Sequence, residues 1–160
     1  MNDKVVNEDA AGDTASLVLH DAALARLVQF YETLDLASIG RVSAMYAENA
    51  SFKDPFNEVS GHAAIMNIFE HMFVQVLQPQ FCVICKVIQG NEAFLTWNFE
   101  FRMKRSSASL QCIRGASHIR FAGDGRVSMH RDYWDAAEEL YEKLPVLGAL
   151  MRMLKRSARA

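Results

Sequence analysis

Two aspartates in this chain stand beside aromatic residues, a pattern that suits proton-transfer chemistry in an apolar setting. Asp54 ends a short extended segment and directly precedes a proline. Side chains alternate along a strand, so Asp54 lies on the same face as Phe52. By the same alternation, His130, Asp132 and Trp134 share one face of a later segment. A carboxylate in such a place is either a turn-forming group or an acid–base group at the wall of a cavity.

The elements that must position these residues follow from the hydrophobic spacing. Apolar residues recur at helical intervals over 16–34, 36–46 and 62–77, and a short extended piece covers 50–54. Alternation and β-branched composition predict strands over 81–88, 93–103, 110–121 and 127–134. An amphipathic helix is predicted from 136 onward, and residues 1–14 are predicted to be a disordered tail.

This order of elements predicts an α+β domain over 15–135, with a helical extension over 136–160. We expect one curved antiparallel sheet shaped like a cone, with the N-terminal helices wrapped across its open face. Such an arrangement leaves a cavity between the helices and the sheet. Apolar cavities with a few polar groups are common binding sites for small hydrophobic molecules.

Composition excludes several other classes of function. Hydrophobic residues make up 51% of the 160 positions, which suits one domain with a substantial core. The net charge of -2 lacks the basic surplus of a nucleic-acid binder, and no apolar run is long enough to span a membrane. The amino terminus is polar and acidic, unlike a signal peptide, so a cytoplasmic location is expected.

The three cysteines predict neither a disulfide framework nor a metal site. Cys82 and Cys85 are three apart in a predicted strand, so their side chains would lie on opposite faces, buried as small hydrophobes. No second Cys or His pair completes a zinc site with them. We therefore expect neither a metal nor a cofactor.

Two stretches of the sequence resemble a known superfamily. The run VSAMYAENASFKDPF at 42–56 and the segment from 120 to 134, which contains GDGRV, resemble the nuclear transport factor two-like superfamily. Within it they are most similar to the ketosteroid isomerase-like and SnoaL-like domains, and the similarity covers roughly residues 17–135. The resemblance implies the cone-shaped fold. Members of this superfamily include isomerases, polyketide cyclases, dehydratases, epoxide hydrolases and non-catalytic binding proteins.

The resemblance also implies roles for individual residues. Asp54 matches the aspartate that shuttles a proton in the isomerases, and Tyr31 falls at, or one residue from, the tyrosine that binds the substrate oxygen. Ser117 stands where the isomerases have a protonated aspartate as a second donor, and a serine hydroxyl is a weaker donor. Asp132 resembles the late-strand aspartate of the polyketide cyclases and epoxide hydrolases.

On these grounds the predicted catalytic residues are Asp54, Asp132, Tyr31 and His130. The predicted ligand-binding residues are Phe52, Phe56, Trp97, Ser117 and Trp134. In a cofactor-independent isomerase or cyclase, one aspartate would abstract a proton next to a carbonyl, while Tyr31 or Ser117 would stabilise the enolate.

Two alternatives use the same residues without catalysis. The cavity could hold an apolar ligand that the carboxylates only orient, in which case arginine would neutralise them. The chain could instead be an interaction module, with a filled cavity and a large apolar patch on the sheet. His130 could equally be a satisfied core histidine, and the tryptophans core or cavity wall. We also expect a homodimer through the outer face of strands 93–103 and 110–121.

Overall fold

Residues 6–104 and 106–136 are described by the structure, a computed structural model, and the side chains of 6–16 and 106–108 are not. The helices are α1 (Val6–Glu32), α2 (Val42–Met45) and α3 (His62–Gln75), and a 3-10 helix covers Ile39–Arg41. The strands are β1 (Tyr46–Lys53), β2 (Glu58–Ser60), β3 (Val76–Gln89), β4 (Glu92–Met103), β5 (Ser106–Phe121) and β6 (Val127–Tyr133). The predicted extension over 136–160 lies outside the described residues beyond Ala136.

The six strands form one sheet in the order β2-β1-β6-β5-β4-β3. Strands β3 to β6 pair antiparallel with their sequence neighbours, whereas β1 runs parallel to β6. The sheet is curved and mainly antiparallel, with the helices in the first half of the described chain. This is the α+β cone fold that the sequence predicts.

The inner face of the sheet carries the core. Along β4, buried residues alternate with exposed or half-buried ones, which places Leu95, Trp97 and Phe101 on the inner face. These side chains belong to one cluster of buried residues that includes Phe30 of α1 and Phe69 of α3. Burying a large apolar side chain contributes roughly 1.5–3 kcal/mol, so this layer holds the helices against the sheet.

The parallel pairing of β1 with β6 brings the two predicted acids to one end of the sheet. Phe52 lies opposite His130, and Lys53 lies opposite Arg131. The next residues along the two strands are Asp54 and Asp132. Because the strands run in the same direction, two segments far apart in sequence deliver their carboxylates to neighbouring positions.

Two helix boundaries differ from the prediction. α1 begins at Val6, so the predicted disordered tail is wrong for residues 6–14. The predicted helix over 36–46 is only the 3-10 helix followed by the four residues of α2. Gly40 disfavours a longer helix there, and Tyr46 already begins β1.

β3 is longer than predicted and includes Pro79, which we expected to lie between elements. Proline has no backbone N–H and is tolerated mainly in edge strands. β3 is the last strand of the sheet, and its pairing with β4 shifts between Leu77 and Gln80. Gln78 has a positive φ of 51 at this irregularity. The edge position therefore accommodates a residue that a central strand would exclude.

A second irregularity in β3 corrects the prediction for the cysteines. The register shifts between Val83 and Cys85, so Cys82 lies opposite Asn98 and Cys85 opposite Thr96. The extra residue of this bulge places both cysteines on the same, outer face rather than on opposite faces. Both are exposed, so they are not the buried hydrophobes that we expected.

Candidate functional site

A groove lies between the inner face of the sheet and α3. Its volume is about 660 Å³, within the range of pockets that enclose small organic ligands. Aromatic side chains dominate its walls, among them Phe52, Phe69, Phe81, Trp97, Phe99 and Trp134. Two carboxylates, those of Asp54 and Asp132, also line it. The groove lies where the sequence predicts a cavity, and its role in binding a ligand stays a prediction.

A smaller chamber of about 30 Å³ adjoins the groove. Its polar border is formed by Tyr31, Ser117, His130 and Asp132, and the rest is apolar. Such a volume admits on the order of one water-sized group. Asp132 borders both spaces, so its carboxylate stands where the groove meets the smaller chamber.

The carboxylate of Asp132 is held through one oxygen. The Ser117 hydroxyl donates to Oδ1 over 2.5 Å, and the His130 ring nitrogen Nε2 lies 2.7 Å from the same oxygen. The sheet register brings them together, because Ser117 lies directly opposite Asp132 and His130 lies two residues before it on β6. In the described part of the chain, both hydrogen bonds of this carboxylate fall on Oδ1. Oδ2 forms no hydrogen bond with the described residues.

The imidazole of His130 connects Asp132 to two buried tyrosines. Its Nδ1 lies 2.8 Å from the hydroxyl of Tyr31 and 2.8 Å from that of Tyr46, and the two hydroxyls also contact each other. With Nε2–H donating to Asp132, Nδ1 has a single lone pair and accepts from one hydroxyl. The other hydroxyl then donates to its neighbour's oxygen. The network thus assigns the tautomer of His130, and only one of the two hydroxyl protons is needed to satisfy Nδ1.

Both tyrosines are neutral in this setting. Burial raises the pKa of Tyr31 well above its ordinary value of 10.0, and the nearby Tyr46 and Asp132 raise it further. Burial also raises the pKa of Tyr46, with a smaller contribution from Asp132 and an opposing one from the hydrogen bond with Tyr31. The phenols therefore act as hydrogen-bond donors rather than as bases at neutral pH.

Trp97 extends the network in the other direction. Its indole Nε1 donates to the Ser117 hydroxyl over 2.8 Å. The indole lies directly over Gly115 of β5, where a Cβ would come within 2.3 Å of the ring. Glycine at this position therefore lets the indole approach the strand closely enough to reach Ser117. Trp97 therefore donates to Ser117, and Ser117 donates in turn to the carboxylate of Asp132.

Asp54 is held in a different way. Its Oδ1 accepts from the backbone N–H groups of Phe56, at 2.7 Å, and Asn57, at 2.6 Å. The side-chain amide of Asn57 adds bonds to Oδ1 at 3.0 Å and to Oδ2 at 2.9 Å. The carboxylate therefore forms the turn after β1, the structural role that aspartate before proline often has. It lines the groove as well, so the two roles coexist.

The other predicted binding residues also line the groove. Phe56 and Trp134 meet edge to face with ring centroids 5.4 Å apart. Phe52 is buried and packs its ring edge to face with the imidazole of His130. The roles of all the predicted site residues, catalytic and binding alike, stay predictions.

Sequence reasoning missed Tyr46 as a polar member of the site. We treated it as an apolar helix residue, whereas it begins β1 and is fully buried. The signal was present: a tyrosine in an apolar stretch needs a partner for its hydroxyl, and a histidine on the facing strand could supply one.

The described residues offer no obvious place for a metal ion. Within 6–104 and 106–136, no group of three His, Cys, Asp or Glu side chains is placed to hold one. Among the helices of this part of the chain, none is long and apolar enough to cross a membrane.

Together, the fold and the site define a cone-shaped α+β domain whose apolar groove ends at a carboxylate supported by side chains of neighbouring strands. The sequence over residues 27–130 matches the model of the SnoaL-like domain, and this chain belongs to that family. The predicted membership of the nuclear transport factor two-like superfamily is confirmed. The match ends two residues before Asp132. No curated protein matches the sequence.

Solved structures share the fold at low sequence identity. A candidate SnoaL-like polyketide cyclase from Jannaschia sp. CCS1 is 11% identical, with a TM-score of 0.65 over 76% of this chain and 88% of that chain. AclR, a candidate hydroxylase from Streptomyces galilaeus, is 17% identical, with a TM-score of 0.64 over 89% and 94%. An LEH-like epoxide hydrolase from M. tuberculosis is 13% identical, with a TM-score of 0.62 over 87% and 97%. These likenesses show the fold alone.

Proposed function

We propose that this protein is a cofactor-independent enzyme of the isomerase or cyclase type, with Asp132 as the general base. Its substrate would be a small, mainly apolar carbonyl compound bound in the groove. One observation carries the proposal: the Asp132 carboxylate is fixed through Oδ1 by Ser117 and His130 where the groove meets the inner chamber. A carboxylate fixed in this way, with one oxygen available, suits proton abstraction.

In the proposed reaction, Oδ2 of Asp132 accepts a proton from a carbon next to the substrate carbonyl. The electron pair of the broken C–H bond moves to the carbonyl oxygen and forms an enolate. The same carboxyl group then returns the proton at a new position, or the enolate carbon attacks a second carbonyl carbon of the substrate, whose oxygen takes up the electron pair of the broken C=O π bond and then the proton from Asp132. The aromatic walls make the surroundings of the reacting atoms less polar than water, which strengthens electrostatic interactions there.

Tyr31 is the proposed donor to the enolate oxygen. It borders the inner chamber, and its hydroxyl shares the single acceptor Nδ1 of His130 with Tyr46. One of the two hydroxyl protons can therefore turn to a ligand oxygen without leaving the histidine unpaired. Stabilising the developing negative charge with a preorganised donor is a common and large contribution to such reactions.

The absence of cationic partners favours an enzyme over a simple binding protein. A binding site that only orients its ligand would have carboxylates neutralised by arginine. In the described part of the chain, neither Asp54 nor Asp132 forms an ion pair with lysine or arginine. The groove is also open rather than filled, which argues against a purely structural role.

Exchange of carbon-bound protons tests the proposal. The protein is incubated in D2O with 2-tetralone, a planar apolar ketone, and deuterium incorporation next to the carbonyl is followed by NMR. We expect exchange above the buffer rate with the wild type and its loss in Asp132→Asn. Exchange that is equal in both proteins would contradict the role of Asp132.

Native mass spectrometry of the purified protein supplies a second test. A retained small molecule identifies a ligand, whose conversion by the wild type can then be assayed directly. A retained ligand that the protein holds without converting it would favour the binding module instead.

We also propose that the chain forms a homodimer through the outer face of β4 and β5 and their neighbours. Four apolar side chains on this face are each about half exposed: Val87 at 59%, Phe94 at 50%, Leu110 at 55% and Tyr133 at 47%. Light scattering after size-exclusion chromatography tests this directly. A dimer that becomes a monomer in Phe94→Glu supports the proposal, and a wild-type monomer at micromolar concentration refutes it.

A further inference from the structure

The groove contains two carboxylates that pair with no lysine or arginine of the described chain. Asp54 receives its hydrogen bonds from Phe56 and Asn57, all of them neutral donors. The acceptor bonds of Asp132 come from Ser117 and from the ring of His130. Neither lysine nor arginine appears in the described lining of the groove. Two aspartates without a lysine or arginine partner thus share an apolar site.

The nearest cations in sequence are turned away from the groove. Lys53 and Arg131 directly precede the two aspartates, and alternation along a strand places neighbouring side chains on opposite faces. Lys53 forms an ion pair with Glu58, and the guanidinium of Arg131 lies 4.9 Å from the ring centroid of Tyr133. Both line a second, outer cleft, which Asp54 and Asp132 also line. Neither lysine nor arginine is among the described residues that line the groove itself.

The walls near the aspartates are aromatic. Phe56 and Trp134 meet edge to face beside Asp54 and Asp132, and Trp97 and Phe81 form a second edge-to-face pair deeper in the groove, with centroids 5.7 Å apart. Aromatic faces carry negative electrostatic potential and attract cations, more strongly where water is excluded. Carboxylates and aromatic faces together favour a positively charged group over a neutral or negative one.

We infer that the groove binds an apolar ligand carrying a protonated or quaternary amine, whose positive charge lies between Asp54, Asp132 and the aromatic pair of Phe56 and Trp134. This names the ligand class for the same site and rests on the proposed function only in using that groove. Anionic ligands are disfavoured, because two carboxylates would repel their negative charge. An amine-bearing carbonyl compound fits both the charge of the site and the proposed base.

A pair of shape-matched probes tests the inference without requiring turnover. Benzyltrimethylammonium and neopentylbenzene have the same shape, but the first has a positively charged nitrogen where the second has a neutral carbon. Phenylpropanoate is the negatively charged probe. Binding is measured by titration calorimetry and by fluorescence of the two tryptophans, both of which line the groove. We expect the ammonium probe to bind at least about tenfold more tightly than its neutral match, and the anion most weakly.

Variants locate the source of the preference. Asp132→Asn and Asp54→Asn should each reduce the preference for the ammonium probe, and the double variant should abolish it. Glu70→Gln, which removes an exposed acid from α3 outside the groove lining, should leave it unchanged.

Three results would overturn the inference: equal or tighter binding of neopentylbenzene, no binding of the ammonium probe, or a preference that survives the double variant. Charge preference without proton exchange would leave this inference standing and remove the enzyme proposal. Proton exchange without a charge preference would remove this inference and leave the enzyme proposal standing.

Discussion

Asp54 and Asp132 lie at the same end of two parallel strands and line the same groove, but they are held by different kinds of partner. Asp54 accepts from the next residues along the chain and closes a turn. Asp132 accepts from side chains that the sheet brings together, Ser117 of β5 and His130 of β6. The hydrogen bonds of Asp54 come from the next residues along the chain and fix a backbone turn. The hydrogen bonds of Asp132 come from side chains of the sheet and fix the position of its carboxylate. Only the second arrangement leaves a carboxylate oxygen for chemistry.

The largest expected difference between the two aspartates is in catalysis. Replacing Asp132 with asparagine removes the base while preserving the shape of its side chain, so we expect proton exchange to fall on the order of 10²–10⁴-fold. Asp54→Asn keeps an oxygen that can accept the turn hydrogen bonds, and exchange should change by only a few fold. Rates with 2-tetralone measure both. A larger loss in Asp54→Asn than in Asp132→Asn would reverse the assignment of roles.

Replacing His130 tests the support of Asp132 alone. His130→Phe removes one of the two donors to Oδ1 and the acceptor that Tyr31 and Tyr46 share. Leaving buried polar groups unpaired costs about 1–3 kcal/mol, so we expect the free energy of unfolding to fall by that amount. Exchange should slow about tenfold as Asp132 loses its fixed orientation.

His118→Phe serves as the matched control, because this histidine stacks on Phe94 and pairs with Glu92 on the outer face. Urea unfolding and the exchange assay compare the two variants. If His118→Phe slowed exchange as much as His130→Phe, the inner network would not be what orients the base.

A methyl group at Gly115 should disturb the same support from further away. Gly115→Ala forces the Trp97 indole to move, because a Cβ there would lie 2.3 Å from the ring. Overpacking of this kind typically costs 1–3 kcal/mol, so we expect about that loss of stability. Near-ultraviolet circular dichroism should report the displaced indole, and exchange should slow as the Trp97–Ser117 bond weakens. Gly123→Ala, where nothing lies within 4 Å, should change none of these.

The smallest expected effect concerns the tyrosines and appears only at high pH. Their pKa values are raised in the folded protein, so above pH about 10 the unfolded chain has lost phenol protons that the folded chain still holds. Stability is therefore complete below pH 10 and is lost as the pH rises further, by at most about 1.4 kcal/mol per pH unit for each tyrosine.

Tyr31→Phe removes one of the two phenols, so stability should fall less steeply with pH, by up to about 1.4 kcal/mol per pH unit. Thermal unfolding between pH 9 and 11 measures it, and Tyr133→Phe, at an exposed tyrosine on the outer face, should leave the slope unchanged. An identical slope in wild type and Tyr31→Phe would mean that the buried phenols do not carry this linkage.

Much of the fold could be predicted from the sequence because periodicity reports burial directly. The alternation over 93–103 predicted β4 to within one residue, and it placed Trp97 on the inner face. Boundaries failed where tertiary packing overrode local preference. Val76 joined β3 instead of continuing α3, because edge pairing with β4 was available there. Pairing partners could not be predicted, so the sequence did not show that β1 and β6 run side by side.

The candidate site was harder to predict because its contacts depend on register. The sequence placed His130 and Asp132 on one face, but the bond from Ser117 to Asp132 required the alignment of β5 with β6. The bulge in β3 between Val83 and Cys85 illustrates the limit: one extra residue changes which face a side chain occupies, as at Cys85. Tyr46 was missed because a tyrosine in an apolar stretch can be read as core without its hydroxyl partner.

The position of β6 in the sheet has a consequence for how the protein is made. It follows all the other described strands in the sequence, yet it occupies the interior between β1 and β5. A nascent chain that lacks β6 would have unpaired edges on β1 and β5 and an exposed apolar inner face of the sheet. Both features favour self-association. The insertion of one late seven-residue strand would seal the sheet and, in the same event, deliver the acid and the imidazole on which the proposed chemistry depends.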